Sequence, residues 1–147
     1  MKDFLIFVLD DDRQFCRLLE ALAEQGFFKD RFPGHNIVVK THCDTQHIPT
    51  AVNWIRENRP DLVLLDYMLG TSSDACLYSL DVLERIILCC HDIIVVSGLY
   101  AEDVRMKLAK EGFDKLGIKV LQKPFGIEEL IAIITESIEK GKHGRTV

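Results

Sequence analysis

The chain has 147 residues, of which 48% are hydrophobic and 28% are charged. This is the composition of a single folded domain, and it excludes a disordered or fibrous chain. With 18 lysines and arginines against 23 aspartates and glutamates, the formal net charge is -5. A chain with this charge has no general attraction to nucleic acid, so direct binding to DNA is not expected.

The cysteines and the apolar runs indicate the compartment. The five cysteines are odd in number and contain no CxxC pair, which is typical of a reducing compartment. The apolar run at residues 4–9 is shorter than the core of a signal peptide, which needs about 7 to 15 residues. No run approaches the ~20 residues of a membrane span. We therefore expect a soluble, cytoplasmic protein.

Short aliphatic runs alternate along the chain with segments of helical period. The strand candidates are residues 4–9, 36–39, 61–65, 92–96 and 118–121. Apolar stripes at helical spacing occupy residues 15–22, 51–58, 82–87, 101–111 and 127–139. Gly26, Gly112 and Gly141 are expected to end three of these helices. The strands are nearly all apolar on both sides, as in a sheet buried between two helical layers. The alternation predicts an α/β fold with five parallel strands and five helices.

Polar residues with related chemistry follow four of the strand candidates. In chain order they are the acidic triplet Asp10 to Asp12, then Asp66, Ser97 and Lys123. In an open parallel sheet, ligands bind outside the carboxyl ends of the strands. We therefore expect these side chains to surround one small crevice. Asp12 is the exception, because a carboxylate at that position is better suited to cap the first helix.

Converging carboxylates repel one another and favour either proton uptake or a hard divalent cation. Mg²⁺ fits best, because it accepts one or two carboxylates, keeps several waters and bridges to phosphoryl groups. An ionised aspartate can attack phosphorus and form an acyl phosphate. Lys123 and Ser97 are then suited to hold the phosphoryl oxygens.

Four motifs together resemble the receiver domain of two-component response regulators: FVLDDD, LVLLDYM, VVSG and LQKPF, each at a strand end. The resemblance covers nearly the whole chain. It implies a flavodoxin-like, doubly wound (βα)5 sheet with strand order 2-1-3-4-5, forming a single domain over residues 1–140. Residues 141–147 are then a frayed tail or the stub of a linker.

The resemblance assigns roles to individual residues. Asp66 is the expected phosphoacceptor, Ser97 the conserved hydroxyl and Lys123 the conserved lysine. The bond between Lys123 and Pro124 is expected to be cis.

The same resemblance implies the ligands of Mg²⁺. Asp11, Asp66 and the backbone carbonyl of Met68 are expected to bind the ion directly, and Asp10 is expected to act through water.

The implied function is that of a signalling switch. A sensor histidine kinase or a phosphotransfer protein supplies the phosphoryl group, and the chain's own catalysis is limited to its self-phosphorylation and autophosphatase reactions at Asp66. An output protein is expected to bind the face formed by the fourth helix, the fifth strand and the fifth helix. A homodimer is possible, and neither nucleic acid nor a membrane is an expected partner. Because the chain ends soon after the last helix, no attached output domain is expected. Whether it is a single-domain regulator or a fragment stays open.

Two departures from the family pattern keep alternatives open. The segment at residues 69–78 is longer than usual, with Gly70 near the usual proline and Ser79 near the usual glycine. It is interpreted as a partner contact or a helical extension. Val120 stands where an aromatic switch residue is expected. The first alternative is therefore a binding module that does not use phosphorylation. The second is a phosphatase of the haloacid dehalogenase type, since Asp10 and Asp12 form a DxD pair on the first strand.

Overall fold

A parallel sheet of five strands, in the order β2-β1-β3-β4-β5, forms the centre of the protein. The computed structural model describes residues 2–44, 46–69 and 75–144, without the side chains of residues 75–78, 115 and 142–144. All four strand pairs are parallel. The strand order and the α/β class predicted for a flavodoxin-like fold are therefore confirmed.

The helices and strands alternate as predicted, with one additional helix. The strands are β1 (Lys2–Leu9), β2 (His35–His42), β3 (Leu62–Asp66), β4 (Ile93–Ser97) and β5 (Lys119–Gln122). The helices are α1 (Arg13–Glu24), α2 (Phe27–Arg31), α3 (Ile48–Asn58), α4 (Ala75–Ile86), α5 (Ala101–Lys110) and α6 (Ile127–Gly144). A 3-10 turn, Asp114–Leu116, precedes β5.

The sheet divides the hydrophobic core into two layers. Successive residues of a strand point to opposite faces, so Val63 and Leu65 pack with α3, α4 and α5. Leu62 and Leu64 pack with α1, α2 and α6 on the other face. Every residue of β3 and β4 is buried. This explains why their sequences are aliphatic without a polar alternation.

The prediction of five helices was wrong by one, because it missed α2. This helix has only five residues, too few to show a helical period. Its Phe28 and the following Phe32 are nevertheless buried in the core. Gly26, predicted as a helix end, lies between α1 and α2 with a φ of 76°, a left-handed conformation that glycine adopts without strain.

The predicted end of the last helix was also wrong. The helix α6 continues through Gly141 to Gly144. Two contacts hold this end in place: Ile138 is buried, and the Lys140 ammonium lies 3.1 Å from the Asp92 carboxylate. Residues 145–147 lie outside the described part of the chain.

The segment at residues 69–78, which is longer than usual for the family, is partly helical. Its residues 75–78 belong to α4. Residues 70–74 lie outside the described residues. None of the helices in the part of the chain that the structure describes has the length and apolar character needed to cross a membrane.

Candidate functional site

Three carboxylates meet at the carboxyl ends of β1 and β3. Asp10 and Asp11 follow β1, and Asp66 is the last residue of β3. Because these two strands are paired in parallel, their ends lie side by side. Each residue has a carboxylate oxygen within 4.8 Å of those of the other two. Asp10 and Asp66 are buried, and Asp11 is half-buried. The predicted convergence of these three residues is thus observed.

Lys123 brings a positive charge to this cluster. Its ammonium donates a hydrogen bond to Oδ2 of Asp10 at 2.9 Å. Its backbone N–H donates to the carbonyl oxygen of Ser97 at 2.7 Å, which ties the end of β5 to the end of β4. The bond from Lys123 to Pro124 is cis, as expected. One ammonium faces three carboxylates, so the site has a surplus of negative charge when all of them are ionised.

The pKa of Asp66 is raised to about 8. Burial is the largest cause, followed by the charge of Asp10 and a hydrogen bond with the Asp11 side chain. The charge of Lys123 and the Met68 N–H act in the opposite direction. A buried carboxylate surrounded by like charges favours its protonated form. Asp66 therefore favours its protonated form near neutral pH in the absence of a cation.

The pKa of Lys123 responds to the same charges. Burial lowers it, but the hydrogen bond and the charge of Asp10, together with the charge of Asp66, raise it overall. The lysine is consequently a permanent cation at physiological pH. Its ammonium is the only one within hydrogen-bonding distance of Asp10 among the described residues.

The donor set fits Mg²⁺. The oxygens of Asp10, Asp11 and Asp66 are hard ligands, and two of the three residues are buried, which excludes much of the competing water. Magnesium prefers such oxygens and retains several waters besides. The expected contribution of the Met68 backbone carbonyl remains a prediction.

Backbone hydrogen bonds fix the chain around Asp66. The Met68 N–H donates to Oδ1 of Asp66 at 3.2 Å, and the Tyr67 N–H donates to the carbonyl oxygen of Val96 at 2.8 Å. From α4, the buried hydroxyl of Ser79 donates to the carbonyl oxygen of Asp66 at 2.7 Å. Sequence reasoning noted Ser79 only as a substitute for glycine. A serine on the buried side of an apolar helix is the signal that suggests such a contact.

Ser97 lies one residue beyond the position opposite Asp66, because Val96 is the partner of Asp66 in the sheet. Its side chain is fully buried. The hydroxyl oxygen accepts a hydrogen bond from the Leu99 N–H at 3.0 Å. Ser97 therefore shares the carboxyl edge of the sheet with the acidic cluster, as predicted.

Asp12 has the capping role that was predicted for it. Its carboxylate accepts hydrogen bonds from the N–H groups of Gln14 and Phe15 at 3.0 and 3.2 Å. It is exposed and is not a member of the cluster of three carboxylates. The DxD pair that suggested a haloacid dehalogenase thus has its second residue engaged in a helix cap.

Phe15 is a further residue of the site that sequence reasoning placed only in the apolar face of the first helix. The Lys123 ammonium lies 5.3 Å from the centroid of the Phe15 ring. This is within the range of a cation–π contact. The period of the helix gave no indication of this contact, because the lysine is more than 100 residues away in the chain.

The end of β5 also contacts α5. Val120, at the expected position of the aromatic switch residue, is buried in the core. Two residues later, Oε1 of Gln122 accepts a hydrogen bond from the N–H of Ala101, the first residue of α5, at 3.0 Å. The Gln122 side chain therefore connects β5 to α5, while Val120 stands where the aromatic residue was expected.

The comparisons with known proteins agree with this architecture. A response regulator receiver protein from Burkholderia phymatum has a TM-score of 0.64 and 19% sequence identity, over 92% of this chain and 95% of that chain. A response regulator from Colwellia psychrerythraea has a TM-score of 0.58 and 22% identity, over 92% and 98%. The chain has a receiver fold.

The receiver fold also occurs in a structural neighbour with a different description. The structure of an adenylate cyclase from Rhodopirellula baltica has a TM-score of 0.62 and 20% identity, over 94% of this chain and 89% of that chain. No protein-family model matches the chain, and no curated protein matches it in sequence. At these identities the likeness establishes the fold, and the function must be argued from the site.

Proposed function

We propose that the protein is a phosphorylation-controlled signalling switch in which Asp66 is the phosphoacceptor. The observation that carries this proposal is the position of Asp66. Its carboxylate is buried at the end of β3, inside a cluster of three carboxylates, and the ammonium of Lys123 lies at the edge of that cluster. A receiver fold with these groups at its carboxyl edge has both a nucleophile and a cation for the phosphoryl oxygens.

Asp10, Asp11, Asp66 and the Met68 backbone carbonyl are the groups that would hold Mg²⁺. The bound ion supplies neutralisation of the charge that develops on the phosphoryl oxygens. Because Asp66 favours its protonated form when no cation is present, binding of Mg²⁺ at these carboxylates would favour the ionised form of Asp66.

The transfer step begins with a phosphohistidine on a sensor histidine kinase or a phosphotransfer protein. A carboxylate oxygen of Asp66 forms a bond to phosphorus while the bond from phosphorus to the histidine nitrogen breaks. The nitrogen takes the electron pair of that bond. Lys123 exchanges its hydrogen bond with Asp10 for one with a phosphoryl oxygen, and the Ser97 hydroxyl donates to another. Hydrolysis by water later returns Asp66 to its free form and releases inorganic phosphate.

The new charge changes the partner that the protein binds. A phosphoryl group adds negative charge and acceptor oxygens, which draws Ser97 and Lys123 towards Asp66 and shifts a two-state equilibrium. The output protein binds the face of α5, β5 and α6, and a second copy of the chain is an alternative partner on that face. The proposed location of this reaction is the cytoplasm.

Intact mass spectrometry tests the proposal directly. The chain is incubated with acetyl phosphate and Mg²⁺, and a gain of one phosphoryl group is expected. The Asp66→Asn variant should show no gain. The matched control is Asp92→Asn, since Asp92 is also a buried aspartate beside a lysine but lies at the opposite end of the sheet; this variant should be labelled like the native chain.

Two results would reject the proposal in different ways. A native chain that takes up no phosphoryl group, from acetyl phosphate or from a phosphorylated phosphotransfer protein, is a binding module that does not use phosphorylation. Labelling that persists in Asp66→Asn places the nucleophile elsewhere, as in the phosphatase alternative with Asp10.

A further inference from the structure

Two groups from different elements hold the Lys123 ammonium. The Asp10 carboxylate, after β1, accepts its hydrogen bond at 2.9 Å. The ring of Phe15, on α1, lies 5.3 Å away. The lysine side chain is 25% exposed, so the ring and the carboxylate leave one side open towards solvent. The ammonium has three N–H donors. The ring attracts the positive charge through its quadrupole, so this contact needs no oxygen atom as a hydrogen-bond acceptor.

The ring of Phe15 is itself held in place. Its backbone N–H donates to the Asp12 cap at 3.2 Å. Its ring contacts that of Phe125 edge-to-face, with the centroids 5.6 Å apart and the planes at 89°. Phe125 lies two residues after Lys123, so the same aromatic pair connects α1 with the segment that carries the lysine. Edge-to-face pairs of this kind fix the orientation of both rings.

We propose that Phe15 is a positioning residue for Lys123 in phosphoryl transfer. This inference rests on the proposed function of Asp66. When Lys123 gives up Asp10 for a phosphoryl oxygen, it loses the partner that holds its side chain at the edge of the cluster. The Phe15 ring is a partner that it retains throughout, because a cation–π contact requires no acceptor atom. The ring thus limits the ammonium to positions from which both the Asp10 carboxylate and the phosphoryl group are within reach.

Two other cation–π contacts in the described part of the chain provide an internal reference. Arg31 lies 5.2 Å from the centroid of Phe27, and Lys40 lies 5.7 Å from that of Trp54. The carboxylate that pairs with Arg31, at 3.5 Å, is that of Glu128, which is not a member of the acidic cluster. Phe27 is the better control, because it is a half-buried phenylalanine on the same layer of the core as Phe15.

The test measures the rate constant of Asp66 phosphorylation by acetyl phosphate at saturating Mg²⁺. The Phe15→Leu variant retains an apolar side chain but has no ring, and we expect its rate constant to fall about 3- to 10-fold. Its affinity for Mg²⁺, measured by calorimetric titration, should stay within about twofold of the native value. The Phe27→Leu control should leave both quantities unchanged.

A fluorinated series separates the cation–π contact from packing. Phenylalanine with one, two or three ring fluorines is incorporated at position 15, which weakens the quadrupole of the ring while the ring itself remains. We expect the rate constant to fall stepwise with each fluorine. A rate constant that does not change along the series would overturn the inference, even if Phe15→Leu is slow, because a ring that acts only by packing is insensitive to its quadrupole.

The failure of this inference is distinct from that of the proposed function. A native chain that is not labelled at Asp66 removes the proposed function. A native chain that is labelled, together with Phe15→Leu at the native rate, overturns only the role of Phe15.

Discussion

The two ends of the sheet each contain a buried aspartate paired with a lysine from later in the chain. At the carboxyl end, Lys123 lies 2.9 Å from Asp10. At the amino end, Lys140 lies 3.1 Å from Asp92, the residue before β4. Both aspartate side chains are almost completely buried, with 1% and 3% exposed. The two pairs are nearly equivalent in distance and in the burial of their aspartates.

The pairs differ in what surrounds them. At the amino end, Oδ1 of Asp92 accepts from both the Ile93 N–H and Lys140, so a single carboxylate is matched by a single cation. At the carboxyl end, Asp11 and Asp66 join the pair, and one cation faces three carboxylates. A buried ion pair is therefore not by itself a sign of function. The surplus of carboxylates is the feature that distinguishes the candidate site.

The largest expected effect follows from reducing that surplus. In Asp11→Asn, one anionic ligand is replaced by a neutral amide, and the affinity for Mg²⁺ should fall about 100-fold. Calorimetric titration of the folded variant measures this change. Asp92→Asn is the control and should bind Mg²⁺ like the native chain. Equal losses in both variants would mean that the two ends of the sheet do not differ in the way described.

A smaller effect is expected from breaking the pair at the amino end. Asp92→Asn removes the charge that faces Lys140, and the free energy of unfolding should decrease by about 2 kcal/mol. This is below the range for fully buried pairs, because the Lys140 side chain is 50% exposed. Urea denaturation of the native chain and the variant measures the difference. A stability equal to the native value would show that the pair has no net stabilising role.

The third prediction uses the pKa of Asp66, raised from 3.8 to about 8. Below pH about 4 the carboxyl is protonated in both the folded and the unfolded chain. As the pH rises from about 4 to 8, the unfolded chain loses this proton first, so the native fold loses stability. Without metal, Asp66→Asn should therefore have a larger free energy of unfolding than the native chain at pH 8. At pH 4 the two should agree.

Urea denaturation in the presence of a chelator checks this sign. A difference between Asp66→Asn and the native chain that is the same at pH 4 and pH 8 would contradict the raised pKa. Addition of Mg²⁺ at pH 8 should stabilise the native chain more than the variant, because only the native chain has the full set of carboxylates.

The sequence predicted the parts of the site that depend on the ends of strands. Asp66, Ser97 and Lys123 each follow a short aliphatic run, and the geometry of a parallel sheet brings such positions to one edge. The same reasoning missed contacts that depend on the packing of helices. The ring of Phe15 meets Lys123, and the hydroxyl of Ser79 meets the Asp66 carbonyl, only because α1 and α4 lie against particular strand ends.

The boundaries were predicted less well than the strand order. The helix α6 passes Gly141 because Lys140 and Ile138 have partners elsewhere in the fold. The rule that a helix ends at a glycine considers only neighbouring residues, so it takes no account of these distant contacts. Likewise, α2 is stabilised by the burial of Phe28 and not by a helical period. Both errors arose where tertiary contacts outweigh local preference.

The connection from β4 to α5 is held by a side-chain hydrogen bond at each of its ends. At the β4 end, the Ser97 hydroxyl oxygen accepts a hydrogen bond from the Leu99 N–H. At the α5 end, Oε1 of Gln122 accepts one from the Ala101 N–H. Ser97 and Gln122 are the last residues of β4 and β5, and β4 lies next to β3, which ends in Asp66. A displacement of either strand end would therefore act directly on the three residues between β4 and α5 and on the first residue of α5.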